Sequence, residues 1–568
     1  MQMDAADSVA PHGAHKDAGA GQDASVKDAS VKDASVKDAL LGDTSAGSSP
    51  ARNVTEVFAV HGADPEVLAY AMAKYSRSSL SMKESLRQIS AQRAEQFLNT
   101  FYFQYGHRSI ADLAHLAFAV ERLSLLAAIV LVDEQRWDGQ ERSTRYQDFE
   151  RSGWYLPTLP TAGCADDFTA TINGLFNAYR EVSDGVFESL VGRVPRPGSM
   201  KQETFERTLR ARAFDMARYL LPLAANTSIG QIVNARTLET QVSRLLSHPL
   251  AEVRELGERL RQAAAGNAWN PGSDAGAALA AEIAVLDPAL GERAAALLSR
   301  EVRVAPTLVK YAEPNAYAIE TRAALAQAAR ELLGDEPIAP APVVDLVETS
   351  PGDKDWLEVE LASSLLYTAC HHPYRQIRDH VRSLPAVRRD EIVDLGLRAR
   401  GRHDELLREF SAGQPLHFDI LMDIGGFRDM HRHRRCVQLI QDFTPLHGYE
   451  IPEGLSEVGA GLVQTYCSAV EAAHAGSQRI TSTGADDMAA TAGAGQYLLP
   501  LGTRIRSLFK MDFSQSLYIA ELRSKPQGHY SYRRVAWHMY QAVARQHPSL
   551  ARHFRVTDIA EPVDLLQR

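Results

Sequence analysis

The pentapeptide Tyr-Leu-Leu-Pro-Leu occurs twice in this chain, at residues 219–223 and again at 497–501. Each copy follows a helical pattern, and each is followed at nearly the same distance by an arginine, Arg244 or Arg523. The chain therefore reads as two related halves. At 568 residues with 45% apolar side chains, it is also too long for one core to keep growing and apolar enough to fill two. The expected organisation is a tail over 1–52, a first domain over 53–265, a connector over 266–354 and a second, more diverged domain over 355–568. Within the tail, Asp-Ala-Ser-Val-Lys repeats three times over 23–37, and one Val per repeat cannot bury a continuous face. Within the connector, 266–276 reads as a loop, the Ala-rich 277–333 as helix, and the Pro- and acid-rich 337–355 as a linker.

Several function classes recede on composition. Four cysteines, Cys164, Cys370, Cys436 and Cys467, lie far apart with no CxxC, which suits a reducing cytoplasm and suggests neither a disulfide framework nor a cysteine zinc site. His371-His372 and His431-x-His433 lack a recognisable metal-ligand spacing, so no metal is expected. A net charge of -10 argues against bulk nucleic-acid binding. No apolar stretch approaches the roughly 20 residues that span a bilayer, and no apolar segment after Met1 reads as a secretory signal.

Residues 54–151 carry a helical pattern, clearest over 82–105, where apolar side chains return every three or four positions and stop at Gly106. His107 then stands just past a helix end. Downstream lies the polar cluster Gly139-Gln140-Glu141-Arg142-Ser143-Thr144-Arg145-Tyr146. In the second half, His431-Arg432-His433-Arg434-Arg435 is a dense basic run; alone, such a run is most often a solvated helix face. Tyr146 and Tyr219 read as ordinary core aromatics.

Gly106-His107, Glu141 and Ser143-x-Arg145-Tyr146 resemble the flavin-dependent thymidylate synthases. That family's signature runs Arg-His-Arg, Ser, Asn-Glu and Ser-x-Arg-Tyr, with a Gly-His upstream. Here the Arg-His-Arg slot holds Asp133-Glu134-Gln135, and two acids there oppose the groups two arginines would attract. Asp138 and Gln140 replace the Ser and Asn, and Asp112 stands where the family has Glu. The first half also keeps Arg218 before its Leu-Pro turn, then Asn234-Ala235-Arg236, then Arg244. The second half has Gln496 and Asp512-Phe513-Ser514 at those places, keeps Arg523 followed by His529, and supplies Arg432-His433-Arg434 but no Ser-x-Arg-Tyr.

The losses are complementary, and the resemblance implies a composite site. Arg432, His433 and Arg434, with His107, Glu141, Asn234 and Arg236, would hold FAD. Ser143, Arg145, Arg218, Arg244 and Arg523 would hold a pyrimidine nucleotide monophosphate, with His107, Ser143 and Arg145 nearest the chemistry. The implied reaction is reductive methylation of dUMP at C5, with methylenetetrahydrofolate as carbon donor and NADPH as reductant. The implied fold is α+β, helices packed on a mainly antiparallel sheet in each half, although composition alone favours a mostly helical chain. The implied assembly is a homodimer imitating the family's tetramer. Two other classes stand beside this one: a degenerate homologue that binds nucleotide or only assembles, and a nucleic-acid contact protein using the basic run.

Overall fold

The computed structural model describes residues 62–74, 82–88, 91–99, 108–149, 151–348, 352–401, 404, 406–483, 493–561 and 564–566. The repeat tail, Gly106 and His107 lie outside these residues. Among the described residues, seven strands form two antiparallel sheets: β1 (His115–Ser124), β2 (Asp138–Glu141) and β3 (Asn226–Asn234) in the order β1-β3-β2, and β4 (Val344–Val347), β5 (Leu416–Asp423), β6 (Val437–Ile440) and β7 (Arg504–Met511) in the order β4-β5-β7-β6. Helices pack on both sheets, so the fold is α+β.

β1 corrects the expectation of helix throughout 54–151. Leu116, Phe118 and Val120 alternate with Ala117, Ala119 and Glu121, a period of two that suits a strand. Pairing with β3 overrides the weak helical pattern. A bulge at Arg122, held at φ 60°, shifts the register between Glu121 and Leu123 and turns the chain toward the next helix. β4 likewise falls inside 337–355, where composition marks a linker, and pairs with β5.

The two halves repeat the same local logic. Ser124 ends β1 and caps the helix Leu125–Leu131, its hydroxyl accepting from Ala127 N. Asp423 ends β5 and caps Ile424–Met430 through Gly426 N at 2.6 Å. Further on, Asn234 ends β3 and caps Ala235–Leu246, and Asp512 follows β7 and caps Phe513–Arg523. The strand order β5-β7-β6 repeats β1-β3-β2.

At the centre the repeated pentapeptides meet each other. Leu223 N donates to Leu499 O and Leu501 N to Leu221 O, both at 2.9 Å, around an antiparallel bridge between Pro222 and Pro500. The capped helices start on these same turns: Leu126 N donates to Leu223 O, and Gly425 N to Leu501 O. Tyr179, Tyr219, Phe418, Tyr466 and Tyr497 from both halves share one buried apolar cluster, and the long helices Ala162–Arg193 and Ala460–Thr483 pack together beside it. Among the described residues no helix is long and apolar enough to cross a membrane.

Candidate functional site

Measured from the caps Ser124 and Asp423, residues 133–135 and 432–434 occupy equivalent places, so the acidic slot and the Arg-His-Arg run are the two copies of one element. The central pairing brings the second copy against the first half. Arg432 donates to the Gln140 side chain at 3.1 Å, the Arg434 guanidinium lies 4.5 Å over the Trp137 ring, and Arg428 pairs with Glu141. Trp137 is fixed from behind, its indole N–H donating to Gln231 at 2.7 Å. Gly139 is required here, since a Cβ would stand 2.4 Å from Gly230 O and 2.6 Å from the Trp137 ring. Trp137, Glu141, Arg428, Arg432 and Arg434, with Ile129, Val132 and His431, line a small cleft here.

The acidic slot carries new partners. Asp133 accepts from Arg408 at 2.6 Å, and Glu134 accepts from Arg244 Nε at 2.9 Å. Burial alone would raise the Asp133 pKa, but Arg408, His431 and Arg244 hold the carboxyl well below its usual range. Arg244, expected at the nucleotide, also donates to Val130 O at 2.9 Å. In the second half Arg523 donates to His433 Nε2 at 2.7 Å, one residue further from its cap than Arg244 is. His433 is therefore a neutral acceptor with its proton on Nδ1. Burial, reinforced by Arg523, Arg432 and Arg434, pushes its pKa down to about 3.

Beside the cleft is a buried ion cluster from both halves. Arg145 donates Nε and Nη2 to the two oxygens of Asp215 at 2.8 and 2.9 Å, and Nη1 to Tyr532 at 3.1 Å. Arg218 is only 2% exposed; among the described residues its nearest carboxylates are Asp215 at 3.8 Å and Asp429 at 3.6 Å, and its Nε and Nη2 have no hydrogen-bond partner. His529 stands 3.8 Å from Asp215 and is held neutral by burial. Burial would raise the Asp215 pKa, yet the Arg145 fork, with the charge of Arg218, draws it down. Arg428-Asp429 on one side and Thr144-Arg145 on the other join cluster to cleft, with Arg428 reaching Thr144 at 3.4 Å.

The remaining predicted residues are placed as follows. The half-buried Ser143 accepts from Arg145 N at 3.3 Å. Asn234 is a helix cap, accepting from Thr237 N at 2.8 Å. Arg236 lies 3.5 Å from Asp112, which Arg136 also approaches at 3.7 Å. Tyr219 is buried as expected, but Tyr146 corrects the core reading: it is 53% exposed, in the irregular segment that follows β2. Sequence reasoning missed Trp137, Asp215, Arg408 and Arg428. Only Asp215 carried a local signal, three residues before Arg218 on one helix face.

A duplicated α+β chain whose halves contribute opposite ends of one arginine-lined cleft is a fused pseudo-dimer. The chain belongs to the thymidylate synthase complementing protein family, whose model matches residues 58–268 and 403–549, one segment in each half. Relatives of similar length include a UPF0159 protein of Chlamydia muridarum, 28% identical over 88% of this chain and 91% of its own, and one of Chlamydia pneumoniae, 27% identical over 90% and 93%. A flavin-dependent thymidylate synthase of Clostridium tetani is 23% identical over 35% of this chain and 81% of the enzyme. The flavin-dependent thymidylate synthase of Helicobacter pylori, solved with FAD and dUMP, aligns at 16% identity over 35% of this chain and 89% of that one, with a TM-score of 0.22.

Proposed function

We propose that this protein is a FAD-dependent thymidylate synthase-like enzyme that methylates dUMP reductively, using methylenetetrahydrofolate and NADPH, at a site composed from both halves. The observation that carries this reading is the cleft in which Arg428, Arg432 and Arg434 meet Trp137, Gln140 and Glu141. The donor set fits the ligands. Arg432 and Arg434 present charge at the cleft edge for a flavin's phosphates or ring, and Arg218 has two buried N–H groups free for a nucleotide phosphate, the kind of unmet donor that costs folding energy unless an anion meets it.

Bound flavin would supply the redox chemistry of the methyl transfer. The chain's own residues bind and orient: Arg218 and Arg145 fix the phosphate end, with Asp215 holding the Arg145 fork in plane. Trp137 and Arg434 wall the cleft against water. Glu141 keeps Arg428 extended between the cleft and the buried cluster.

A second reading rests on a different observation: the guanidiniums of Arg145 and Arg244 are already engaged by Asp215 and Glu134, as in a scaffold that binds nucleotide weakly or only assembles. An assay of dTMP formation from dUMP with the full reductant and carbon donor separates the two. Under the enzymatic reading, Arg434→Ala and Arg218→Gln each lower turnover roughly tenfold to a hundredfold, the loss of one charge-assisted contact. A wild-type protein that binds dUMP but forms no dTMP would establish the scaffold instead.

A further inference from the structure

Residues 273–298 fold into an antiparallel helical hairpin outside both segments that match the family. Its arms are Ser273–Leu286 and Pro288–Leu298, joined at Asp287, which caps the second arm through Ala289 N and Leu290 N at 3.0 and 3.1 Å. The arms approach closely because Gly276 lies against Leu298 and Gly291 against Ala284; a Cβ at these glycines would stand 2.9 Å from Leu298 O and 2.4 Å from the Ala284 side chain. Gly276, Ala280 and Ala284 thus mark the inner face of the first arm, and Gly291 and Leu298 that of the second.

At 100° per residue, Leu279, Glu282 and Leu286 fall together on one flank of the first arm. Leu290, Arg293 and Leu297 fall on the corresponding flank of the second. Because the arms are antiparallel and both flanks turn the same way from the inner face, the six residues lie on one side of the hairpin. The leucines there are 49%, 88%, 48% and 79% exposed in chain order. Four exposed leucines on one side of a two-helix layer form an uncovered apolar face.

We infer that this face joins two copies of the chain into a homodimer through a four-helix bundle. Charge decides both the occupant and the orientation. Glu282 and Arg293 sit at nearly equal distances from the turn, near the middle of the face, and neither has an ion pair or hydrogen bond among the described residues. A twofold axis parallel to the helices lays the first arm over the partner's second arm. Glu282 then meets the partner's Arg293 twice over, while Leu279 meets the partner's Leu297 and Leu286 the partner's Leu290. An axis across the helices would set Glu282 against itself. The face measures roughly 20 by 20 Å from helix rise and spacing, so the pair buries about 800 Å² in all, below the range of stable specific interfaces, and the dimer is a weak one that dissociates on dilution into the micromolar range.

Sedimentation equilibrium of the full chain tests this surface independently of any nucleotide chemistry. The wild type forms a concentration-dependent dimer, and Leu286→Glu weakens it on the order of tenfold or more. Glu282→Arg alone and Arg293→Glu alone each weaken the dimer through like charges. An equimolar mixture of the two restores it, because each arginine of one chain then faces a glutamate of the other. A monomeric wild type, a dimer indifferent to Leu286→Glu, or a mixture no tighter than its components would overturn the inference.

Discussion

Asp215 is the residue on which the buried cluster turns. It neutralises Arg145, approaches Arg218 and faces His529, all in the interior. Removing it strands two buried guanidiniums, so Asp215→Ala costs about 3–5 kcal/mol in urea unfolding, the scale for breaking a buried ion pair. The pH dependence follows from the depressed pKa. Its contribution is complete above the unfolded value near pH 4 and is lost as pH falls through the lower folded value. His433 acts in a higher window. With a folded pKa of about 3 against an ordinary 6.5, it binds its proton more readily when unfolded, so stability declines as pH falls from about 6.5 toward 3. His433→Gln, which can still accept from Arg523, flattens that part of the profile; an unchanged slope between pH 6.5 and 4 would show that other groups set it. At this scale the sequence was partly legible. Motif spacing singles out Arg145, Arg218, Arg432 and Arg434, and the fold places the first two in the buried cluster and the last two at the cleft. Their partners were not legible, because Asp215–Arg145 and Arg408–Asp133 join residues far apart in the chain, where no local period records a contact.

At the scale of elements, the clearest constraint is the tight β2–β3 pairing beneath Trp137. Gly139→Ala drives a methyl into Gly230 O and the indole, so it destabilises by about 1–3 kcal/mol and displaces the ring under Arg434. Intrinsic tryptophan fluorescence should shift even where the fold survives, and an unaltered spectrum with unaltered stability would refute this packing account. The halves differ most on the outer faces of their sheets. Ala117 opposite Ile232 in the first half corresponds to His417 opposite Lys510 in the second. Ile232 is exposed, whereas Lys510 is buried beneath Trp356–Tyr367, bonding Glu360 at 3.1 Å and Ser364 at 2.8 Å. That divergence explains why the second half matched its family pattern so thinly. The strand β1 was misread for a related reason: Ala117 and Ala119 are good helix formers, and only pairing with β3 selects the extended chain.

For the whole molecule, the repeated pentapeptide proved the most telling signal, because its two copies hydrogen-bond to each other at the centre of the core. A junction made of backbone bonds and shared aromatics leaves neither half a complete core of its own. Calorimetry should accordingly show one cooperative unfolding transition for residues 62–568, whereas two separable transitions would mean that the halves fold as independent domains. The duplication and the complementary losses, Asp133-Glu134 on one side and the missing Ser-x-Arg-Tyr on the other, were plain in the sequence; the pairs that join the two copies, Arg432 with Gln140 and Arg428 with Glu141, were not, because they link residues 292 and 287 positions apart. The central claim, that this cleft is a composite flavin–nucleotide site, is tested most directly by equilibrium titration of the protein with FAD, followed by flavin absorbance and fluorescence with and without dUMP. The account predicts FAD binding that dUMP perturbs and that Arg434→Ala weakens roughly tenfold or more; absence of FAD binding, or binding indifferent to both dUMP and Arg434, would contradict it.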